Sequence, residues 1–146
     1  MEMDTETLVK KRVHEYYWKE DLNCATTTLL SLAEHFGVSL SPQVVDAALG
    51  MHGAGGFRAQ CGLVEGALMF SGILGRSREI PDTETEAFCR RLAGNFESRF
   101  GSLLCRTLRP EGFRGDNPPH LCEPLTERAI LANIDLVSEW LDHRAA

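Results

Sequence analysis

The sequence contains no CxxC pair, although it carries five cysteines, Cys24, Cys61, Cys89, Cys105 and Cys122. A thioredoxin-type dithiol and an ordinary zinc ribbon both need that spacing, so neither is signalled. The odd count rules out complete pairing within one chain. Nor is there a basic block: the formal net charge is −6, which argues against nucleic acid as the main partner. No apolar run approaches the length of a membrane span, and "MEMDTETLVKKR" at the amino terminus has no apolar signal core. These absences lead to the expectation of a cytoplasmic protein. In a reducing compartment, several cysteines point more often to metal or redox chemistry than to a disulfide frame.

What is present is ordinary for a globular chain: 146 residues, 43% hydrophobic and 25% charged, enough for one domain, 1–146, with its own core. Helical periodicity dominates. Val9, Val13, Tyr16 and Tyr17 recur at helical spacing over 5–20. After Asp21, Ala25, Leu29, Leu32 and Phe36 form a second stripe that Gly37 stops. "SPQVVDAAL" opens with a capping serine and a proline suited to the first helical position. From Cys61 to about Leu74 the chain is almost wholly apolar, which predicts a buried helix. Phe88, Leu92, Phe96 and Phe100 mark a further helix, "GS" at 101–102 precedes a short one through Leu108, and the last runs from about Pro124 to Asp142. Between them, residues 109–120 read as a loop, with Pro110, Gly112, Gly115, Pro118 and Pro119. The expectation is an all-α bundle of five to six helices around the helix that Cys61 opens.

The glycine-rich "GAGGFRAQCGLVEG" at 53–66 lacks the lysine of a phosphate loop and the preceding strand of a dinucleotide site. Its meaning depends on the thiols. With Asp21 and Ser102 as N-caps, Cys24 and Cys105 fall at third helical positions; Cys61 opens its helix and Cys122 sits just before Pro124. Four thiols thus lie at or near helix starts, where free N–H groups and the helix dipole favour a thiolate, the metal-binding and nucleophilic form. Cys89 lies inside a helix beside Phe88 and Leu92 and reads as a packing residue.

The order and context of these residues, "NCA" at 23–25, "CGLVEGAL" at 61–68, "FGSLLC" at 100–105 and the late Cys122, resemble the C_GCAxxG_C_C proteins, small four-cysteine proteins described as redox-active. The resemblance spans about residues 10–140 and departs at one place, where Leu63 stands for the alanine of the CGAxxG motif. It implies redox activity or metal binding by Cys24, Cys61, Cys105 and Cys122. Fusion of similar domains to multihaem cytochromes leans toward electron transfer and an iron–sulfur centre.

Three readings follow. In the first, Cys24, Cys61, Cys105 and Cys122 converge on a metal, zinc or an iron–sulfur cluster. In the second, an oxidoreductase-type reading, two of them form a reversible disulfide and a low-pKa Cys61 attacks. In the third, the cysteines only pack a helical interaction module. An electron-transfer or redox partner and a homodimer are compatible with the first two. Glu65, one turn after Cys61, is expected to pair with an arginine such as Arg58. His52 and His120 are candidate substitute ligands, each more readily a solvated loop residue. Cys24, Thr28, Ser31 and His35 share an edge expected to be half exposed. The 109–120 loop is equally suited to cover a site and deliver Cys122 or to be a plain connection.

Overall fold

A computed structural model describes residues 3–109, 116–117 and 119–145. Among these the chain forms eight helical segments: α1 (Thr5–Trp18), α2 (Cys24–Phe36), α3 (Pro42–Ala47), α4 (Gly53–Gly56), α5 (Gly62–Ser77), α6 (Asp82–Phe100), α7 (Cys105–Leu108) and α8 (Glu123–Ala145). The all-α expectation holds; α7 is the short segment expected to run through Leu108, and α4, within the glycine-rich stretch, is an addition. Pro110, Gly112, Gly115 and Pro118 of the expected loop lie outside the described residues.

Two helix starts differ from expectation. Asn23, not Asp21, caps α2: its carboxamide oxygen accepts the Thr26 amide at 2.9 Å. The Ser102 hydroxyl accepts the Leu104 amide at 3.0 Å, and Leu104 is the residue before α7. Cys24 and Cys105 are therefore first helical residues rather than third ones. Cys61 directly precedes α5 as its N-cap, and Cys122 directly precedes α8, its carbonyl accepting the Thr126 amide at 2.8 Å.

The apolar stripes meet in one main cluster. Val9 and Val13 of α1, Leu29 and Leu32 of α2, Phe70 and Leu74 of α5, Leu92 of α6 and Ile130 and Val137 of α8 are all essentially inaccessible. Burying each such side chain contributes about 1.5–3 kcal/mol. The α5 helix packs on α2, α6 and α8 and is the central element that its composition predicts. A smaller cluster of Cys61, Leu63, Val64, Phe96 and Ala129 closes its amino-terminal end. Leu63 is 1% exposed in it, so the larger residue at the motif's alanine position is absorbed by packing.

The close contact of α2 with α5 is a matter of missing side chains. A Cβ on Gly62 would lie 2.4 Å from the Cys24 Sγ, and one on Gly66 would lie 2.3 Å from the Ala25 carbonyl oxygen. Real Cβ atoms do not approach so closely, so the CGxxxG spacing sets the distance between the two helices.

Candidate functional site

Each of the four helix-start cysteines is carried to the same end of the bundle by a separate piece of backbone. Residues 53–56 and Arg58 all have positive φ, a left-handed run made tolerable because three of the five are glycine. This run turns the chain so that Ala59–Cys61 lies antiparallel to Leu103–Cys105. The Cys61 amide donates to the Leu103 carbonyl and the Cys105 amide to the Ala59 carbonyl, each at 2.8 Å, around a bridge between Gln60 and Leu104. Residues flanking a bridge point to the face opposite the bridged pair, so Cys61 and Cys105 share the inner face and Leu104 faces out, 38% exposed. Gly53 allows the turn to close on Cys105, whose Cβ would stand 3.4 Å from a Cβ placed on that glycine.

Cys24 enters from α2, its sulfur seated over Gly62. Cys122 enters at the start of α8, which α1 holds: the Trp18 indole N–H donates to Glu123 at 3.0 Å, and the His14 ring nitrogen lies 3.0 Å from the same carboxylate. Tyr17 completes the group. Its hydroxyl is 2.6 Å from that of Thr126, and its ring stacks on His120 at 4.7 Å.

Burial and neighbouring charges shape the ionisation of these thiols. Burial pushes Cys24 well above the ordinary thiol value, and the negative charges that Cys61, Cys122 and Cys105 would carry push it further, against the Ala25 N–H. Burial pushes Cys61 up to about 12; the Leu63 and Val64 N–H groups oppose this, while Cys105 and Cys122 add to it. Cys105 is raised by burial, with Arg109 and Arg58 pulling it down. Tyr17 is raised by burial and then by the charges of Cys24, Cys122 and Cys61. The low-pKa Cys61 expected from its helix start is therefore not found. The N–H groups are there, but desolvation outweighs them.

Other expectations are corrected too. Gln60, not Arg58, is the hydrogen-bond partner of Glu65, and Arg58 acts on Cys105 instead. Thr28 and Ser31 are buried rather than half exposed, Thr28 Oγ1 donating to the Cys24 carbonyl at 2.8 Å. His120 Nε2 lies 3.0 Å from Asp21 Oδ1, and His52 precedes α4. Cys89 stays apart, its thiol raised by burial and then by Glu86 rather than by another cysteine. Tyr17 carried only a core signal in the sequence, and the Gln60–Leu104 bridge is too short to show a period of its own.

Among the described residues no three of the His, Cys, Asp and Glu side chains are placed to hold a single metal ion. As a donor set, four gathered thiols with N–H groups directed at two of their sulfurs fit a thiolate-bound cluster.

Fold and site together define an all-helical protein with four cysteines collected at helix starts. Residues 22–134 match the model of the family described as "Putative redox-active protein (C_GCAxxG_C_C)", and the chain belongs to that family. No curated protein and no solved structure matches the chain. No helix among the described residues is long and apolar enough to cross a membrane.

Proposed function

We propose that Cys24, Cys61, Cys105 and Cys122 together hold an iron–sulfur cluster and that the protein passes electrons between redox partners. The observation that carries this reading is the gathering of four thiols, of which Cys24, Cys61 and Cys105 have their ionisation opposed by burial and, for Cys24 and Cys61, by the neighbouring thiols. Such a group is poorly suited to supply a free nucleophile. It is well suited to a positively charged inorganic core that draws the protons off and repays the repulsion. A two-iron cluster takes two thiolates on each iron, a less demanding arrangement than a single-ion grip, which the described side chains do not form.

When bound, the cluster supplies one-electron chemistry. The chain's own part is to orient the sulfurs through four helix starts and to direct the Ala25, Leu63 and Val64 N–H groups at two of them. The Tyr17–Thr126 hydroxyl pair closes one side against water.

The test is anaerobic purification after growth with iron, followed by iron, zinc and acid-labile sulfide analysis and visible absorbance. Iron and sulfide are expected in the wild type and in Cys89→Ser, and their loss in each of Cys24→Ser, Cys61→Ser, Cys105→Ser and Cys122→Ser. Zinc without sulfide overturns the cluster in favour of a single ion. Metal-free protein with a reversible Cys24–Cys61 disulfide overturns it in favour of thiol–disulfide exchange, a reading that the seat of Cys24 Sγ over Gly62 supports.

A further inference from the structure

His120, Glu123 and Thr126, which bracket Cys122, all reach to residues 14–21 at the end of α1. The His120 ring stacks on Tyr17 and meets the Trp18 ring edge-on at 5.2 Å, and its Nε2 lies 3.0 Å from Asp21 Oδ1. His120 is left-handed, with φ 57°, a conformation that a residue other than glycine keeps only where its surroundings fix it. Tyr17 and Trp18 each touch the chain both before and after Cys122. Trp18 is 49% exposed, whereas Tyr17 is 3% exposed and fixed in the main core cluster.

The direction of the buried hydroxyl bond follows from counting protons. The Thr126 hydroxyl has one proton and gives it to the Cys122 carbonyl at 2.9 Å. The Tyr17 O–H is therefore the donor to Thr126 Oγ1, at 2.6 Å. The carbonyl that ends this line also accepts the Thr126 amide. Burial, and then the charge that Cys24 would carry, keep the phenol protonated, so the donor is retained. Cys61 and Cys105 are placed by paired backbone, and Cys24 by the Asn23 cap. At Cys122 the corresponding hold comes from a side chain of another helix.

We propose that Tyr17 is the positioning residue for Cys122, its hydroxyl acting through Thr126 to set where that thiol stands relative to Cys24, Cys61 and Cys105. The inference rests on the reading that the four thiols act as one group. It concerns the metal-free chain and does not require the cluster.

In the reduced, metal-free full chain, iodoacetamide labelling followed by peptide mass spectrometry gives the alkylation rate of each cysteine. Tyr17→Phe keeps the ring and loses the hydroxyl. In it the Cys122 rate should rise about fivefold, the opening expected for one hydrogen bond of average net strength. Cys24, Cys61, Cys89 and Cys105 should keep their wild-type rates. Thr126→Val should reproduce the rise, and Thr126→Ser, which retains a hydroxyl, should restore the wild-type rate. The Tyr17→Phe/Thr126→Val double variant should match Tyr17→Phe rather than exceed it. Circular dichroism checks that each variant is folded. An unchanged Cys122 rate in Tyr17→Phe overturns the proposal. So does an equal rise at all five cysteines, which marks a loss of stability alone. A Thr126→Ser rate as high as that of Thr126→Val, or an additive rise in the double variant, shows that the two hydroxyls do not act in one line and overturns it too. Iron and sulfide analysis of the wild type reads the cluster proposal separately. Metal-free wild type with a selective change at Cys122 leaves the positioning role standing, and iron-loaded wild type with no such change removes that role alone.

Discussion

Away from the thiols, α2 and α5 meet through large apolar side chains. Leu29, Leu32, Phe70 and Leu74 belong to one buried cluster, and the Phe36 and Phe70 rings stack at 5.7 Å. Toward the thiols the same two helices meet through Gly62, Gly66 and the Cys24 sulfur, with no room for a single added methyl. The first contact is held by area removed from water, which is diffuse and forgiving of shape. The second is held at one distance by backbone against backbone. Stability and chemistry are thus concentrated at opposite ends of one helix pair, and mutations at the two ends should separate them.

The largest effect is expected at the apolar end. Phe70→Ala should cost about 3–5 kcal/mol in urea unfolding, while the folded fraction keeps the iron content that the proposed cluster gives the wild type. Loss of metal in a folded Phe70→Ala protein would show that the two ends are not independent. At the thiol end, Gly66→Ala drives a methyl into the Ala25 carbonyl and the Thr28 side chain. It should cost about 1–3 kcal/mol and lower the metal content as well. Gly72→Ala, on the same helix but facing open space, should instead stabilise by about 0.5–1 kcal/mol. Equal effects at the two glycines would remove the close-approach argument.

The thiol end should also respond to pH in metal-free protein. Cys61 ionises near the ordinary 9.0 when unfolded and is pushed up to about 12 when folded. Below pH 9 both states hold the proton and the thiol costs nothing. Between 9 and 12 the unfolded state releases it first, so stability falls as pH rises, by about 1.4 kcal/mol per pH unit for a fully shifted group. Urea midpoints at pH 9 and pH 10 should therefore fall less in Cys61→Ala than in the wild type, while Cys89→Ala follows the wild type more closely. A Cys61→Ala slope identical to the wild type would mean that the folded thiol is not protected.

How much of this was legible follows the same division. The apolar end was readable because Leu29 and Leu32, and Phe88 and Leu92, repeat at helical spacing, and that period is a local property of the chain. The placing of the cysteines at helix starts was also readable, since glycine, proline and capping residues announce helix ends. Their convergence was reached through the resemblance rather than through the residues. The elements beside it carry no periodic signal: residues 53–56 and Arg58 are left-handed, and the Gln60–Leu104 bridge joins segments far apart in the chain. The ionisation of Cys61 was misjudged for a related reason. Its helix-start N–H groups are local and visible, whereas the burial that outweighs them is assembled from Phe96, Ala129 and Leu63.

Asn23 lies at the thiol end, where it ties the start of α2 to the glycine-rich turn, and a conservative change there gives a small effect. Its carboxamide oxygen caps α2 through the Thr26 amide and hydroxyl, and its Nδ2 donates to the Leu49 carbonyl at 2.9 Å, tethering the start of the glycine-rich turn. Asn23→Ala removes both contacts and should cost about 1 kcal/mol. Asn23→Ser keeps a capping oxygen but leaves Leu49 without its donor, so it should recover most of that stability. Hydrogen exchange then distinguishes the two functions. In Asn23→Ser the amides of Gly55, Gly56 and Ala59 should exchange faster while those of α2 stay protected. If exchange in the turn is unchanged, the Leu49 bond holds nothing in place, and the position of Cys61 and Cys105 rests on their paired backbone alone.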